Sequence, residues 1–310
     1  MNSKTNPEVN VIFQALFVTF LWSTSWVLIK IGLKDIPALT FAGLRYFFAF
    51  LVLLPVYLRS TRTIPLRELS SVDWVWLTGL GFLYYTITQG SQFMGLVYLP
   101  AITFSLLLNF SALIVAVLGI PLLKERLSRL QWSGMAVFLV GVFIFFYPVL
   151  IPSGMALGFL VAGIHVIATS LSSIVGRYVN RAGSIDALTV TVVSMGIGSL
   201  LLLVTGVLVE EIPRIDLAGW LIIIWLAVVN TALAFTLWNH TLRTLSAAQS
   251  SIINNTMLVQ IALLAWLFLD ETVNWQEAIG MGLVAAGALI VNLKRSEGNQ
   301  NAALRTRDHP

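Results

Sequence analysis

The chain has 310 residues, 58% of them apolar and only 10% charged, with a net charge of +4 and no cysteine. A soluble domain carries about 25% charged residues, so this is the composition of a chain that lives in a bilayer. The missing cysteines exclude disulfides and thiolate metal sites.

A membrane-spanning helix needs about 20 mostly apolar residues. Uncharged runs occupy residues 9–29, 74–123, 130–176, 187–209, 217–242 and 244–269. The second and third runs are too long for one span, and each breaks near a proline, at Pro100 and at Pro148–Gly154. The segment after Pro37 is interrupted only by Arg45, and the segment after Glu277 is uncharged to Leu293. The predicted helices are 10–31, 38–58, 74–94, 98–122, 130–148, 154–176, 186–208, 217–240, 246–268 and 275–293. The first contains two Trp and lacks a small-residue cleavage pattern, so it is expected to be a retained helix and not a signal peptide. Residues 59–72 form the longest internal loop, and residues 296–310 read as a polar, disordered tail. A Gly-rich phosphate loop is absent from the sequence, so no ATP-driven motor is expected.

The ten predicted helices form two copies of one unit. Leu99-Pro100-Ala101, Asn109, Glu125, Gly134 and Gly141 recur as Leu245-Ser246-Ala247, Asn255, Glu271, Gly280 and Gly287, each 146 residues later. The expected domains are therefore residues 1–150, residues 151–295 and the tail. Duplication within a hydrophobic chain is the mark of a transporter with its site at the repeat interface.

Cytoplasmic loops collect Lys and Arg. With the N-terminus inside, alternation through ten helices puts 14 of the 18 basic residues on the cytoplasmic side. Lys30, Lys34 and Arg214 fall outside, and Arg45 lies within a helix. Five helices per copy is an odd number, so the second copy must run inverted. The charge pattern agrees: Lys124-Glu125-Arg126 becomes Asp270-Glu271-Thr272, keeping the acid and losing both bases. The fold class expected is an all-α integral membrane protein: ten transmembrane helices in two inverted five-helix repeats, with both termini cytoplasmic.

Polar groups at membrane depth face the bundle interior or a wet cavity. Asn109 and Asn255 are repeat equivalents, each mid-helix, and either bind substrate or hydrogen-bond a neighbouring helix. Trp22, Trp26 and Lys30 follow at intervals of four and share a face. Trp26 is too deep for an interface anchor; it lines a cavity or packs on a neighbour. Lys30 sits near a helix end, where it can snorkel. Arg45 is costly unless hydrogen-bonded or paired, and it can also attract an anionic substrate group. His165 is the one mid-helix group that ordinarily titrates near neutrality, which suits either a proton relay or a hydrogen-bonded packing role. Tyr84, Tyr85, Gln89 and Gln92 form a polar-aromatic strip on the third helix, as do Asn230, Thr231, Trp238 and Asn239 on the eighth. Every Asp and Glu falls at a helix end, in a loop or in a tail. Gly134, Gly141, Gly280, Gly282, Ala286 and Gly287 permit close helix contact, expected to be internal packing and not a dimer face.

Several segments resemble one family. Leu21-Trp22-Ser23-Thr24-Ser25-Trp26-Val27-Leu28-Ile29-Lys30 and Phe41-Ala42-Gly43-Leu44-Arg45-Tyr46 resemble the first two helices of EamA-type proteins. Leu237-Trp238-Asn239-His240-Thr241-Leu242-Arg243 followed by Leu245-Ser246-Ala247-Ala248 is similar to the eighth-to-ninth helix signature, and Trp266-Leu267-Phe268-Leu269-Asp270-Glu271 to the end of the ninth. Asp270 stands where that family has Gly, a difference expected to affect only the helix cap. The resemblance covers nearly the whole chain. It implies the drug/metabolite transporter superfamily, with ten helices, alternating access and a central cavity. By helix, it implies Trp26, Gln89, Asn109, His165, Asn230 and Asn255 as cavity residues.

The function expected is export of small metabolites, such as amino acids or their derivatives, across a prokaryotic plasma membrane. The alternative is efflux of cationic aromatic drugs. An intramembrane enzyme would need paired acids, a nucleophile or metal ligands on one cavity, which this sequence does not supply. The expected partners are a small-molecule substrate and the lipid bilayer. Neither cofactor, metal nor nucleic acid is expected, and a monomer suffices although a homodimer is compatible.

Overall fold

In hydrocarbon every backbone N–H and C=O must be satisfied within the protein, and long apolar runs answer this by forming helices. The computed structural model describes residues 7–60, 63, 65–123, 128–148, 153–182, 185–211, 214–241, 244–245 and 247–305. The Lys124-Glu125-Arg126 loop, Arg243 and Ser246 lie outside them.

The helices run in chain order as α1 (Pro7–Gly32), α2 (Ala38–Arg59), α3 (Ser71–Leu80), α4 (Gln89–Tyr98), α5 (Ala101–Leu108), α6 (Phe110–Leu123) and α7 (Arg129–Phe146), then α8 (Ala156–Ala182), α9 (Ala187–Val209), α10 (Leu217–Ala227), α11 (Ala234–Thr241), α12 (Ala247–Leu269) and α13 (Trp275–Arg305). Two π-helical segments, Gly81–Thr88 and Val228–Leu233, join α3 to α4 and α10 to α11. No strand occurs among the described residues.

Among the described residues, eight helical stretches are long and apolar enough to cross a membrane. The sequence predicts ten, and the difference has two physical sources. The third predicted helix carries the polar-aromatic strip from Tyr84 to Gln92, which makes it less apolar than the others, and the apolar part of the last covers only Trp275–Val291. Helix α13 continues to Arg305, so helix extends into the polar stretch after Lys294 that the sequence reading takes as disordered. Glu297, Gln300 and Ala302–Leu304 are all compatible with helix once an anchored turn precedes them.

The chain divides into two compact units, and each draws on both halves of the sequence. One comprises Met1–Thr24, Ala112–Ile151 and Phe235–Pro310; the other comprises Ser25–Ser111 and Pro152–Ala234.

In the first unit α7 and α13 cross antiparallel at glycine. A Cβ on Gly141 would lie 2.7 Å from the Gly280 carbonyl oxygen, and one on Gly287 would lie 2.6 Å from the Gly134 carbonyl oxygen. Gly134, Gly141, Gly280 and Gly287 of the small-residue stripe are therefore internal packing, as expected, because only bare Cα atoms allow backbones this close, whereas Gly282 faces open space. An amide fastens each end: Gln131 Nε2 donates to the Val291 carbonyl at 3.3 Å and Gln276 Nε2 to Ile144 at 2.8 Å. Gln260 ties α12 to α1, accepting from Ser23 Oγ at 2.9 Å and donating to Thr19 Oγ1 at 3.3 Å. Asp270 ends α12 with φ 56°, the left-handed conformation that Gly adopts without steric cost. The departure from the family's Gly thus falls on a backbone that favours Gly.

In the second unit α2 and α9 cross antiparallel, with Gly43 against Leu203 and Gly206 against Thr40. Glu210 caps α2, accepting from the Leu39 amide at 2.9 Å and the Thr40 amide at 2.8 Å. A carboxylate there meets the positive end of the helix dipole. The first π segment packs on α9 through Gly81 and Gly198, and Thr86 Oγ1 donates to the Gly198 carbonyl at 2.9 Å. Each π segment has a threonine bonded five residues back: Thr88 to Leu83 and Thr231 to Leu226, both at 2.9 Å.

Candidate functional site

Most of the polar residues singled out in the sequence fall in the second unit. Trp26 is 3% exposed and sits against the Phe104 ring, centroids 5.8 Å apart. Phe104 in turn meets His165 at 5.2 Å. His165 Nδ1 is 2.8 Å from the Thr88 carbonyl oxygen. A carbonyl only accepts, so Nδ1 carries the hydrogen. Thr169 Oγ1 lies 3.5 Å from Nε2 on the other side of the ring. Thr88 closes the first π segment, so the histidine is held by one of the two irregular stretches.

Beside this column stands a second group. Tyr46 donates from its hydroxyl to Gln89 Oε1 at 2.6 Å. The Tyr85 ring packs edge-on against Tyr46 at 5.7 Å, and Tyr84 against Tyr85 at 4.9 Å. Arg45 is 4% exposed and donates from Nε to Thr231 Oγ1 at 3.2 Å. Its guanidinium carbon lies 5.0 Å from the Tyr46 ring centre and 5.9 Å from that of Phe93. Asn230, in the second π segment beside Thr231, is fully buried. A lone Arg at hydrocarbon depth costs roughly 3 kcal/mol or more. Two aromatic faces and one hydroxyl offset part of that.

Of the predicted site residues, Trp26, Tyr84, Gln89, His165, Asn230 and Arg45 are thus in one unit, supplied by six elements. Asn109 belongs to the same unit but lies at the break between α5 and α6, and its Nδ2 donates to the Ser105 carbonyl at 2.9 Å. That is the structural reading of this residue: the amide satisfies a carbonyl at a helix interruption. Trp22 and Asn255 belong to the first unit. Trp22 is stacked with Phe235 and Trp238, at 5.6 and 5.2 Å. Asn255 Nδ2 is buried with no hydrogen-bond partner among the described residues. Lys30 does not snorkel. Its ammonium donates to the carbonyls of Leu96 and Leu99 at 2.6 and 2.7 Å, closing the end of α4.

Tyr46, Phe93, Phe104 and the Thr88 carbonyl were not picked out as site residues. Tyr46 had a signal, being next to Arg45 in the second motif. Phe104 and Phe93 had none, since an interior Phe in an apolar helix looks like any other. Among the described residues no cluster of three or more His, Asp or Glu could hold a metal.

Buried polar and cationic groups gathered among apolar helices belong to membrane proteins that move polar solutes. The sequence matches the EamA-like transporter family over residues 9–147 and 153–293. The chain belongs to this family, within the drug/metabolite transporter superfamily, and is a multi-pass membrane transporter. It is 25% identical to an uncharacterized transporter, YvbV, of Bacillus subtilis, over 97% of both chains. It is 27% identical to a probable amino-acid metabolite efflux pump of Salmonella typhimurium, covering 90% of this chain and 93% of that one. A solved crystal structure superposes with a TM-score of 0.66 at 19% identity, covering 93% of this chain and 98% of the other, which shows a shared fold.

Proposed function

We propose that this transporter exports small metabolites of the amino-acid type across a prokaryotic plasma membrane by alternating access. It would do so with ten helices in two inverted repeats and both termini cytoplasmic. The observation that carries the reading is the buried cluster of Trp26, Gln89, His165, Arg45 and Tyr46, an amphipathic set of side chains suited to a small zwitterion or acid. The full-length similarity to a probable amino-acid metabolite efflux pump points the same way.

Two symmetries support the inverted repeat. The contacts Gly134–Gly287 and Gly141–Gly280 exchange with each other under the 146-residue offset, as contacts across a twofold axis do. The same offset carries Tyr84 to Asn230, so the two π segments fall at matching positions. Short π stretches recur at functional sites, and a matched pair suits bending of both halves during transport. Efflux of cationic drugs is the weaker reading, because Arg45 in the cluster repels a cation.

The test is overexpression in bacteria with metabolite profiling of the medium. Controls are empty vector, Trp26→Ala and Asn109→Leu, with monodispersity checked by gel filtration. One compound class should accumulate with the wild type and fall with folded Trp26→Ala. Media that match the empty vector would overturn export.

A further inference from the structure

We propose that Arg45 is the anchor for a carboxylate group on the transported metabolite; this rests on the transport reading above. Arg45 lies at the eighth position of α2, about 10 Å along the helix from Ala38 at 1.5 Å per residue. A guanidinium has five N–H donors. Among the described residues it uses the one on Nε, bonded to Thr231 Oγ1 at 3.2 Å. The terminal amino groups have no protein acceptor there, and no carboxylate pairs with the cation.

The surroundings fix the guanidinium rather than neutralise it. Thr231 donates its own proton to the Leu226 carbonyl at 2.9 Å, so its oxygen is turned to accept from Nε. The Tyr46 ring holds one side, and that phenol is itself held by Gln89 at 2.6 Å. Phe93 holds the guanidinium at 5.9 Å, and its own ring is braced edge-on by Phe41 at 5.1 Å. The result is a rigid cation with its paired terminal donors unspent. That geometry matches the two oxygens of a carboxylate, which a guanidinium binds as a fork. A buried charge without a protein counter-ion is poorly explained by stability, since an apolar side chain there would be the cheaper choice. It is explained if the counter-ion arrives with the substrate. The second π segment, which supplies Thr231, then places an irregular stretch of backbone next to the anchored group.

The experiment uses the full-length protein reconstituted into liposomes. Uptake is compared for radiolabelled amino acids and their carboxamides, for example leucine against leucinamide and phenylalanine against phenylalaninamide. The readout is the acid-to-amide ratio, which a general loss of folded protein does not move. The wild type is expected to prefer the acid at least about tenfold, and Arg45→Gln to bring the ratio to about one. Arg45→Lys keeps the charge without the fork and should fall between them, and it carries the test if Arg45→Gln does not yield monodisperse protein. An acid preference undiminished from the wild type in either folded variant overturns the anchor and leaves the transport reading standing. A wild type that moves neither acids nor amides overturns the transport reading, and the anchor with it.

Discussion

Two glycines on facing helices, Gly141 on α7 and Gly282 on α13, should respond with opposite sign to the same substitution. A methyl on Gly141 would lie 2.7 Å from both the Gly280 oxygen and the Val284 nitrogen, which are backbone atoms on the facing α13. Ordinary contact begins near 3.4 Å, so the helices must part by about 0.7 Å at this crossing. A gap of that size forfeits a quarter to a half of each dispersion contact it opens. Overpacking of this kind costs about 1–3 kcal/mol, against about 1 kcal/mol gained from replacing Gly with Ala in a helix. Gly141→Ala should therefore destabilise the protein by up to about 2 kcal/mol. On α13, Gly282 has nothing within 4 Å of its Cβ position. Gly282→Ala keeps the propensity gain without the clash and should stabilise by about 0.5–1 kcal/mol. Gly280 faces Gly141 from α13, and a Cβ there would lie 2.7 Å from the Phe145 amide nitrogen, so Gly280→Ala should behave like Gly141→Ala. Thermal unfolding of the purified chain in one detergent, followed by tryptophan fluorescence, reads all three. If Gly141→Ala and Gly282→Ala shift the midpoint in the same direction, the close crossing of α7 and α13 is wrong.

Other consequences follow from single contacts. Lys30→Met leaves the Leu96 and Leu99 carbonyls without their donor and should cost about 2–3 kcal/mol in the same melt. A variant that kept full stability and lost transport would instead make Lys30 a substrate contact. Asp270→Gly relieves the left-handed backbone at φ 56° and should raise stability by about 0.5–1 kcal/mol, whereas Asp270→Val should lower it. A fall in midpoint for Asp270→Gly would mean that the aspartate side chain contributes more than its backbone costs.

Much of this protein is written in its local sequence. In a bilayer, hydrophobicity acts run by run, so the uncharged stretches alone locate most helix ends to within a few residues, the ends of α8 and α13 excepted. The glycine stripes on α7 and α13 were legible as close packing, because small residues at helical spacing have few other uses. Asp270 was legible as a cap by its departure from a family's Gly. What the sequence alone could not supply is whatever depends on distant partners. The π segments leave no mark in hydropathy, since one extra residue per turn changes register and not composition. Asn109 and Asn255 read alike as repeat equivalents. Yet one spends its amide on its own helix, and the other leaves its nitrogen without a partner among the described residues. Lys30 and Arg45 are both cations in apolar helices in the sequence. Only the tertiary structure separates them: a broken helix offers Lys30 two carbonyls, while Arg45 meets one hydroxyl and two aromatic faces. A charge's role is set by which acceptors come within 3 Å, and that is decided by chain segments tens to hundreds of residues away.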